Sequence, residues 1–139
     1  MHSKKICHRD IKVENIILNK EDDTIKLIDF GLSCKTDKCE KNKVLGTLMF
    51  MAPEVLRHEK YTEKSDMWSI GVVLFVMLTG RVPFVEQDKS KLYEEILTGQ
   101  FDVSGKKLNS LLVTFYFCLA MYKVNISDFA KDLIKKLMH

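Results

Sequence analysis

The sequence predicts a mainly α-helical domain with one small β-hairpin. Two short apolar runs flank a polar turn, and three later segments repeat apolar residues at helical spacing. The 139 residues are 46% hydrophobic and 29% charged, which is the balance of a single globular domain. The net charge is only +3 and charges of both signs alternate along the chain, so we expect no nucleic-acid partner.

The hairpin is predicted between residues 15 and 29. Its apolar runs, Ile16–Leu18 and Ile25–Ile28, lie on either side of the polar turn Lys20–Asp23. The segment 31–46 that follows is polar, rich in lysine and aperiodic. A stretch of this kind predicts a long surface loop.

A central helix is predicted next. Ser65 and Asp66 can cap a helix that continues to Leu78 and ends at Gly80. Because this helix is apolar nearly all round, we expect it in the centre of the domain.

Two amphipathic helices follow the central one. The first has an apolar stripe within residues 92–97 and closes at Gly99. The second is capped by Ser127. Its predicted apolar stripe consists of Phe129, Ala130, Leu133, Ile134, Leu137 and Met138.

Targeting features predict an intracellular, cytoplasmic protein. The start of the chain lacks an apolar run and a cleavage site. The apolar stretches 69–78 and 111–122 are shorter than the roughly 20 residues of a membrane span, so no span is expected. The four cysteines include no CxxC pair. We therefore expect reduced thiols, and Cys34 and Cys39 lack the partners of a zinc site.

The residues suited to chemistry lie on both sides of the hairpin. The segment His-Arg-Asp-Ile-Lys-Val-Glu-Asn places Asp10, Lys12 and Asn15 on one loop. A carboxylate can accept a hydroxyl proton, an ammonium can neutralise a phosphate, and an amide oxygen can bind a hard cation such as Mg²⁺. Asp29 begins an Asp-Phe-Gly motif after the second strand, and the hairpin turn should return it beside Asn15. An Ala-Pro-Glu motif ending at Glu54 closes the long loop.

In this order, HRDIKVEN, DFG and APE resemble the motifs of the eukaryotic protein kinases. The resemblance extends through Gly46-Thr47, residues 65–71 and residues 131–134. It implies that residues 1–139 are a partial protein kinase domain, from the catalytic loop to the late helices of a kinase-like C-terminal lobe. The implied activity is transfer of the γ-phosphoryl of MgATP to Ser or Thr of protein substrates, with ATP and Mg²⁺ as cofactors.

The amino-acid sequences of these motifs most resemble those of the calmodulin-dependent and calcium-dependent protein kinases. Lys12, two residues after the motif Asp, is the serine/threonine form. A regulatory calcium-binding segment or calmodulin would act from outside these residues, because the chain contains no EF-hand loop.

The resemblance implies a role for each matching residue. Asp10 would be the catalytic base and Lys12 would touch the transferred phosphoryl. Asn15 and Asp29 would hold the Mg²⁺ ions, and Ile17 would lie beneath the adenine. The implied structural and regulatory residues are His8, Arg9, Phe30, Thr47, Glu54 and Asp66, of which Asp66 would hold the backbone of the His8-Arg9-Asp10 turn.

Two acidic positions bear on substrate choice. Glu14 and Glu94 match positions that, in kinases selecting basic substrates, pair with an Arg upstream of the acceptor. An equally open interpretation is that both are ordinary solvated surface carboxylates.

The sequence also departs from the family. It contains no GxGxxG motif, and the only lysines before the first motif are Lys4 and Lys5. We therefore expect the small lobe and the C-terminal end to be missing, which would leave Glu54 without its usual Arg partner. The hydrophobic segment 106–125 is an atypical insertion, either a translated intron or a genuine insertion. The alternative function is a catalytically inactive kinase-derived fragment or binding module.

Activation is the last expectation from sequence. In many kinases the Arg before the catalytic Asp pairs with a phosphate on the following loop. Here the only hydroxyls between residues 31 and 46 are Ser33 and Thr36, far from the usual position. We predict instead that Arg9 pairs with Glu40 or Asp37, so that loop phosphorylation is not needed.

Overall fold

The computed structural model describes residues 1–40, 43–102 and 126–139. Within these ranges the chain forms two antiparallel strand pairs and four α-helices, so the predicted mixture of helices with a small hairpin is confirmed. The elements are β1 (Ile6–Cys7), β2 (Ile16–Asn19), β3 (Thr24–Leu27), β4 (Cys34–Lys35), α1 (Pro53–Leu56), α2 (Glu63–Thr79), α3 (Lys89–Thr98) and α4 (Asp128–Leu137). The segment 106–125 lies outside the described residues.

The β2–β3 hairpin lies where the sequence predicts it. Ile16 pairs with Leu27 and Asn19 pairs with Thr24. The turn is closed by Asp22, whose Oδ1 accepts hydrogen bonds from the backbone N–H and the hydroxyl of Thr24 at 3.1 and 2.7 Å. This register also brings Asn15, just before β2, opposite Ile28, just after β3.

The segment 31–46 is more ordered than the predicted surface loop. Its β4 strand pairs with β1, and Cys34 stands opposite Cys7. Cys34 is also joined to Cys39 in a disulfide, so the expectation of reduced thiols is wrong for this pair. A turn closed by Lys38 N donating to Lys35 O brings the two Cα atoms to 5.4 Å, within the usual range for a disulfide.

Helix α2 starts two residues before the predicted cap. Thr62 is the N-cap: its hydroxyl accepts from Lys64 N at 3.3 Å, and its own N–H donates to Ser65 Oγ at 3.2 Å. Ser65 is therefore the third residue of a capping box rather than the cap itself. The prediction of a central helix is confirmed, because Val72 and Val76 are fully buried and the chain leaves the helix at Gly80.

Helix α3 ends at Gly99, as predicted, and begins after Asp88, which caps it by accepting from Ser90 N and Lys91 N. Leu92 and Ile96 supply its buried positions.

Helix α4 packs on α2 at a glycine. A Cβ atom on Gly71 would lie 2.6 Å from Met138 Cγ and 3.0 Å from Leu137 Cβ, so only glycine permits this approach. Ile134 and Met138 are buried, but Phe129 is 80% exposed and Leu133 is 39% exposed. The predicted apolar stripe is thus buried only in part, because α4 meets α2 through its C-terminal residues. No helix among the described residues is long and apolar enough to cross a membrane.

Candidate active site

The site is built on the loop His8–Asn15, here called the HRD loop. The first turn of α2 fixes the start of this loop through Asp66, which is fully buried. Asp66 Oδ2 accepts from His8 N at 2.9 Å and Oδ1 accepts from Arg9 N at 3.0 Å. Arg9 has a φ of 69°, a left-handed conformation that is unusual for a residue with a side chain. The buried carboxylate thus holds the backbone in a sharp turn immediately before Asp10.

Two further residues complete the anchor, and sequence reasoning missed both. Tyr61 donates its phenol O–H to Asp66 Oδ1 at 2.8 Å, and His2 Nε2 lies 2.7 Å from Oδ2. Burial, followed by the charge of Asp66, raises the pKa of Tyr61 far above its ordinary value, so the phenol stays protonated and donates. The one available signal was the position of Tyr61 just before the α2 cap. Nothing in the sequence links His2 to Asp66 across the intervening residues.

Asp10 follows this turn and is only 8% exposed. Thr47 donates to its Oδ1 from both the backbone N–H and the hydroxyl, each at 2.9 Å. Lys12 Nζ lies 2.9 Å from Oδ2, and Asn15 Nδ2 donates to the Asp10 carbonyl at 2.8 Å. Burial opposes ionisation of Asp10, but the hydrogen bonds from Lys12 and Thr47 outweigh it and lower its pKa below the ordinary value. At neutral pH, Asp10 is therefore a carboxylate in a fixed orientation.

Lys12 lies between two oxygen atoms. Its Nζ is 2.9 Å from the Asp10 carboxylate and donates to Thr47 Oγ1 at 3.1 Å. The hydrogen bond with Asp10, together with the charges of Glu14 and Asp29, raises the pKa of Lys12. The site therefore contains a permanent cation beside the carboxylate.

Gly46 allows Thr47 to reach Asp10. It has a φ of 112°, and a Cβ atom at this position would lie 2.5 Å from the backbone oxygen of Arg9. The chain after Asp29 therefore returns to the HRD loop, and its backbone contacts that of Arg9 at Gly46, where a side chain would not fit.

Asn15 and Asp29 come together through the hairpin register, as the sequence predicts. Ile28 N donates to Asn15 O at 3.0 Å, so Asp29 follows directly. Asp29 is exposed, has a left-handed φ of 61°, and accepts from Gly31 N at 3.3 Å. Because Asn15 directs its Nδ2 toward Asp10, its Oδ1 is on the opposite side of the amide.

These two side chains suit a magnesium ion. One carboxylate and one amide oxygen are the hard donors that Mg²⁺ prefers, and the rest of its shell is usually water and substrate phosphate. The described residues contain no group of three or more His, Cys, Asp or Glu side chains that could form a complete metal cage. Asn15 and Asp29 would supply two oxygen ligands, and water and substrate phosphate would complete the shell.

His8 and Phe30 are in contact, with ring centroids 4.8 Å apart. His8 Nε2 also lies 2.9 Å from the carbonyl oxygen of Ile28. These contacts join the HRD loop to the backbone that carries Asp29.

The expectation about the charged partner of Arg9 is wrong. Arg9 donates its Nε to Leu32 O, and within the described ranges no ion pair links it to Glu40 or Asp37. Glu40 instead pairs with Lys43 at 2.6 Å, because that lysine is three residues away on the same segment.

Glu54, which is expected to lack its usual Arg partner, has a hydroxyl partner. Ser65 Oγ donates to its Oε1 at 2.7 Å. The hydroxyl that would have capped α2 is thus available to the Ala-Pro-Glu motif.

The remaining predicted site residues lie on the surface. Ile17 is on β2 with 49% of its side chain exposed, directly beyond Asn15 along the chain. Glu14 lies in the turn before β2, and Glu94 lies on α3; both are exposed. Glu94 therefore belongs to a different element from the residues around Asp10.

The comparisons with known proteins agree with this geometry. The chain matches the protein kinase domain family over residues 1–139. Calcium-dependent protein kinase 4 of Plasmodium berghei is 42% identical over 142 residues, which cover 99% of this chain and 24% of that protein. Serine/threonine-protein kinase 33 of Bos taurus is 35% identical over 99% of this chain and 28% of its own length. An Aurora kinase of Eremothecium gossypii is 47% identical over 70% of this chain and 26% of its own length. The chain thus spans about a quarter of the length of these relatives.

Proposed function

Because this chain belongs to the protein kinase family, we propose that it is part of the C-terminal lobe of a serine/threonine protein kinase. It would transfer the γ-phosphoryl of MgATP to a protein hydroxyl. The observation that carries the proposal is the environment of Asp10, a carboxylate held by Thr47 and Lys12 and left slightly exposed. The sequence motif and the contacts of the carboxylate both support Asp10 as the central residue of the proposed site.

Asp10 would orient the acceptor hydroxyl. Thr47 holds Oδ1 through two hydrogen bonds, so the carboxylate has little freedom to rotate. Its lowered pKa makes it a weak base. It would therefore act first by aligning the hydroxyl oxygen and accept the proton late, as the bond to phosphorus forms.

Lys12 would stabilise the transferred group. It is close enough to Asp10 to act on the same substrate atoms, and its raised pKa keeps it charged. A cation in this position offsets the negative charge on the equatorial oxygens of the phosphoryl group.

Asn15 and Asp29 would hold magnesium, which bridges the phosphates and neutralises their charge when bound. The backbone hydrogen bond between Ile28 and Asn15 sets the relative position of these two residues. Ile17, exposed on β2, would provide an apolar surface for the adenine ring.

The substrate class follows from two observations. Lys12 two residues after Asp10 is the serine/threonine form, and two of the relatives are named as serine/threonine or calcium-dependent protein kinases. Glu14 and Glu94 are exposed carboxylates that would pair with a basic side chain of the substrate.

A second candidate, a non-catalytic binding module, is favoured by the exposed face of the hairpin. Leu18 is 54% exposed and Ile25 is 68% exposed, and the sequence contains no GxGxxG loop to cover phosphates. On this view the 139 residues alone would bind a partner through that face. We expect no measurable turnover from residues 1–139 expressed by themselves.

The test is transfer of labelled γ-phosphate from MgATP to a basic peptide containing Ser and Thr. The enzyme would be the longest gene product that contains residues 1–139, with Asp10→Asn as the matched control. Phosphoserine or phosphothreonine that disappears in the control supports the proposal. Phosphotyrosine, or incorporation that persists in Asp10→Asn, would contradict it.

A further inference from the structure

Three of the cysteines meet beside the HRD loop. Cys34 and Cys39 are joined in a disulfide, and Cys7 stands opposite Cys34 in the β1–β4 pair. Cys7 lies immediately before His8, the first residue of the loop. The catalytic machinery described above uses none of these sulfur atoms.

The disulfide lies between the two contacts that the segment makes with the HRD loop. Before it, the carbonyl of Leu32 accepts from Arg9 Nε; after it, Thr47 donates to Asp10. Inside the closed loop, Thr36 N donates to Lys5 O at 2.9 Å and its hydroxyl donates to Glu63 at 2.9 Å. The bond therefore closes a short loop that is already attached to β1 and to α2.

The two cysteines of this bond differ in exposure. Cys34 is half-buried, and Lys35, Asp37 and Lys38 are exposed around the turn. Two lysines and one aspartate leave a net charge of +1 on residues 35–38, which would weakly favour a small anionic disulfide or thiol. Cys39, in contrast, is buried.

Cys7 differs from the other two. It is fully buried and its Sγ lies 3.6 Å from Thr36 Oγ1. Burial raises its pKa, so little reactive thiolate is present to attack the neighbouring bond. Among the described residues, the bond between Cys34 and Cys39 is thus protected from exchange with the one remaining thiol, that of Cys7.

We propose that Cys34 and Cys39 are a reversible dithiol–disulfide site whose oxidised form holds the segment 34–39 against β1 and the start of α2, next to the HRD loop. The oxidant is a low-molecular-weight anionic disulfide such as oxidised glutathione. The Cys34 thiolate attacks one sulfur of the oxidant and forms a mixed disulfide, releasing one small thiol. The Cys39 thiolate then attacks the Cys34 sulfur and releases the second small thiol. The protein loses two electrons and two protons, and the oxidant gains them.

The consequence for catalysis rests on the proposed function. Opening the bond removes a covalent restraint from the stretch between Leu32 and Thr47, so the arrangement that orients Asp10 is less populated in the reduced protein. Reduction should therefore lower turnover in a kinase that contains this chain. The redox chemistry itself does not depend on that function.

The first measurement identifies the bond in the full 139-residue chain. The protein is equilibrated with oxidised glutathione or with dithiothreitol, alkylated with N-ethylmaleimide in denaturant so that buried thiols also react, and digested with trypsin. Mass spectrometry should find peptide 27–35 joined to peptide 39–41 after oxidation and not after reduction. Cys7 should be recovered as a free, alkylated thiol in peptide 6–9 in both samples.

The second measurement follows the rate of tryptic cleavage after Lys35. We expect this cleavage to be at least about threefold slower in the oxidised chain, because the closed loop opens less often. Cys39→Ser should make the rate independent of redox state. Cys7→Ser, the matched control, should keep the redox dependence.

Three results would overturn the proposal. They are alkylation of both Cys34 and Cys39 under oxidising conditions, a bond from Cys7 to either of them, or equal cleavage rates in the two states. The comparison of wild-type protein in the two buffers needs no variant, so a misfolded Cys39→Ser does not weaken it. Neither measurement uses ATP, so failure here leaves the kinase proposal standing, and absence of kinase activity leaves this proposal standing.

Discussion

Two buried carboxylates, Asp66 on α2 and Asp10 in the HRD loop, lie beside the first turn of that loop in contrasting environments. Asp66 is completely buried and accepts from two backbone N–H groups, a phenol and an imidazole. Asp10 is slightly exposed and is held by the side chains of Thr47 and Lys12 as well as one backbone N–H. Both are saturated with hydrogen bonds, but only Asp10 can be reached by another molecule.

The two carboxylates therefore have different tasks at the same loop. Asp66 holds its backbone, and Asp10 is placed to contact another molecule. A carboxylate that binds backbone fixes the path of the chain, and its loss leaves buried N–H groups without partners. A carboxylate that binds polar side chains and is slightly exposed can exchange one of these partners for a substrate atom. Substitutions at the two positions should therefore affect different measurements.

The largest effect is expected for Asp10→Asn in the longest gene product that contains this chain. Loss of the carboxylate should reduce kcat by about 10²–10⁴-fold, while the affinity for ATP stays nearly unchanged because the interaction is made with the acceptor. Initial rates together with nucleotide binding measure the two quantities. A large loss of ATP affinity would show that the role assigned to Asp10 is wrong. Asp29→Ala, which removes the proposed magnesium ligand, should abolish turnover and serves as the contrasting variant.

Asp66→Ala should act mainly on stability. It leaves the N–H groups of His8 and Arg9 buried without acceptors, so we expect the free energy of unfolding to fall by about 2–5 kcal/mol. Urea denaturation of the full chain measures this. If Asp66→Ala were no less stable than Asp10→Asn, the distinction between the two carboxylates would fail.

Tyr61→Phe should weaken the same anchor by a smaller amount. The ring still fills its buried space, but Asp66 Oδ1 loses one donor at 2.8 Å. A decrease of about 1–2 kcal/mol in the free energy of unfolding is expected. Thr62→Ser, which keeps a cap hydroxyl one residue further along, is the matched control and should change stability by much less.

The smallest effect concerns pH. The pKa of Asp10 is lower in the folded chain than its ordinary value, so its ionised form stabilises the fold. This stabilisation is present above the unfolded-state pKa and is lost as the pH falls through the folded-state pKa. The difference in unfolding free energy between wild type and Asp10→Asn should therefore shrink as the pH is lowered from about 5 to about 2.5. A difference that stays constant over this range would mean that Asp10 does not titrate as the structure indicates.

Local patterns in the sequence predicted the parts of the site that depend on short-range structure. Asn15 and Asp29 lie on the two ends of a tight hairpin, so the pairing of Ile16 with Leu27 was enough to bring them together. The end of α3 at Gly99 also followed from local pattern.

Contacts between distant parts of the chain, and the exact cap residue of α2, could not be predicted from the sequence. His2 and Tyr61 both contact Asp66, but His2 lies far from it in sequence, and hydrophobic periodicity does not indicate polar contacts of this kind. Ser65 and Thr62 are both good capping residues, and only the structure shows that Thr62 is the cap and that Ser65 also donates to Glu54. The disulfide was missed because spacing alone does not show that a turn brings Cys34 and Cys39 together.

The anchor at Asp66 also has a consequence for how the chain folds. Its bonds to His8 and Arg9 span 58 and 57 residues of sequence, whereas the hairpin and the turns of α2 join near neighbours. Closing so long a loop is slow compared with forming a helix turn or a hairpin. The elements on either side should therefore form before the HRD loop adopts its shape. A peptide that contains the loop and the hairpin without α2 would keep the hairpin's register but would lack the left-handed turn that positions Asp10.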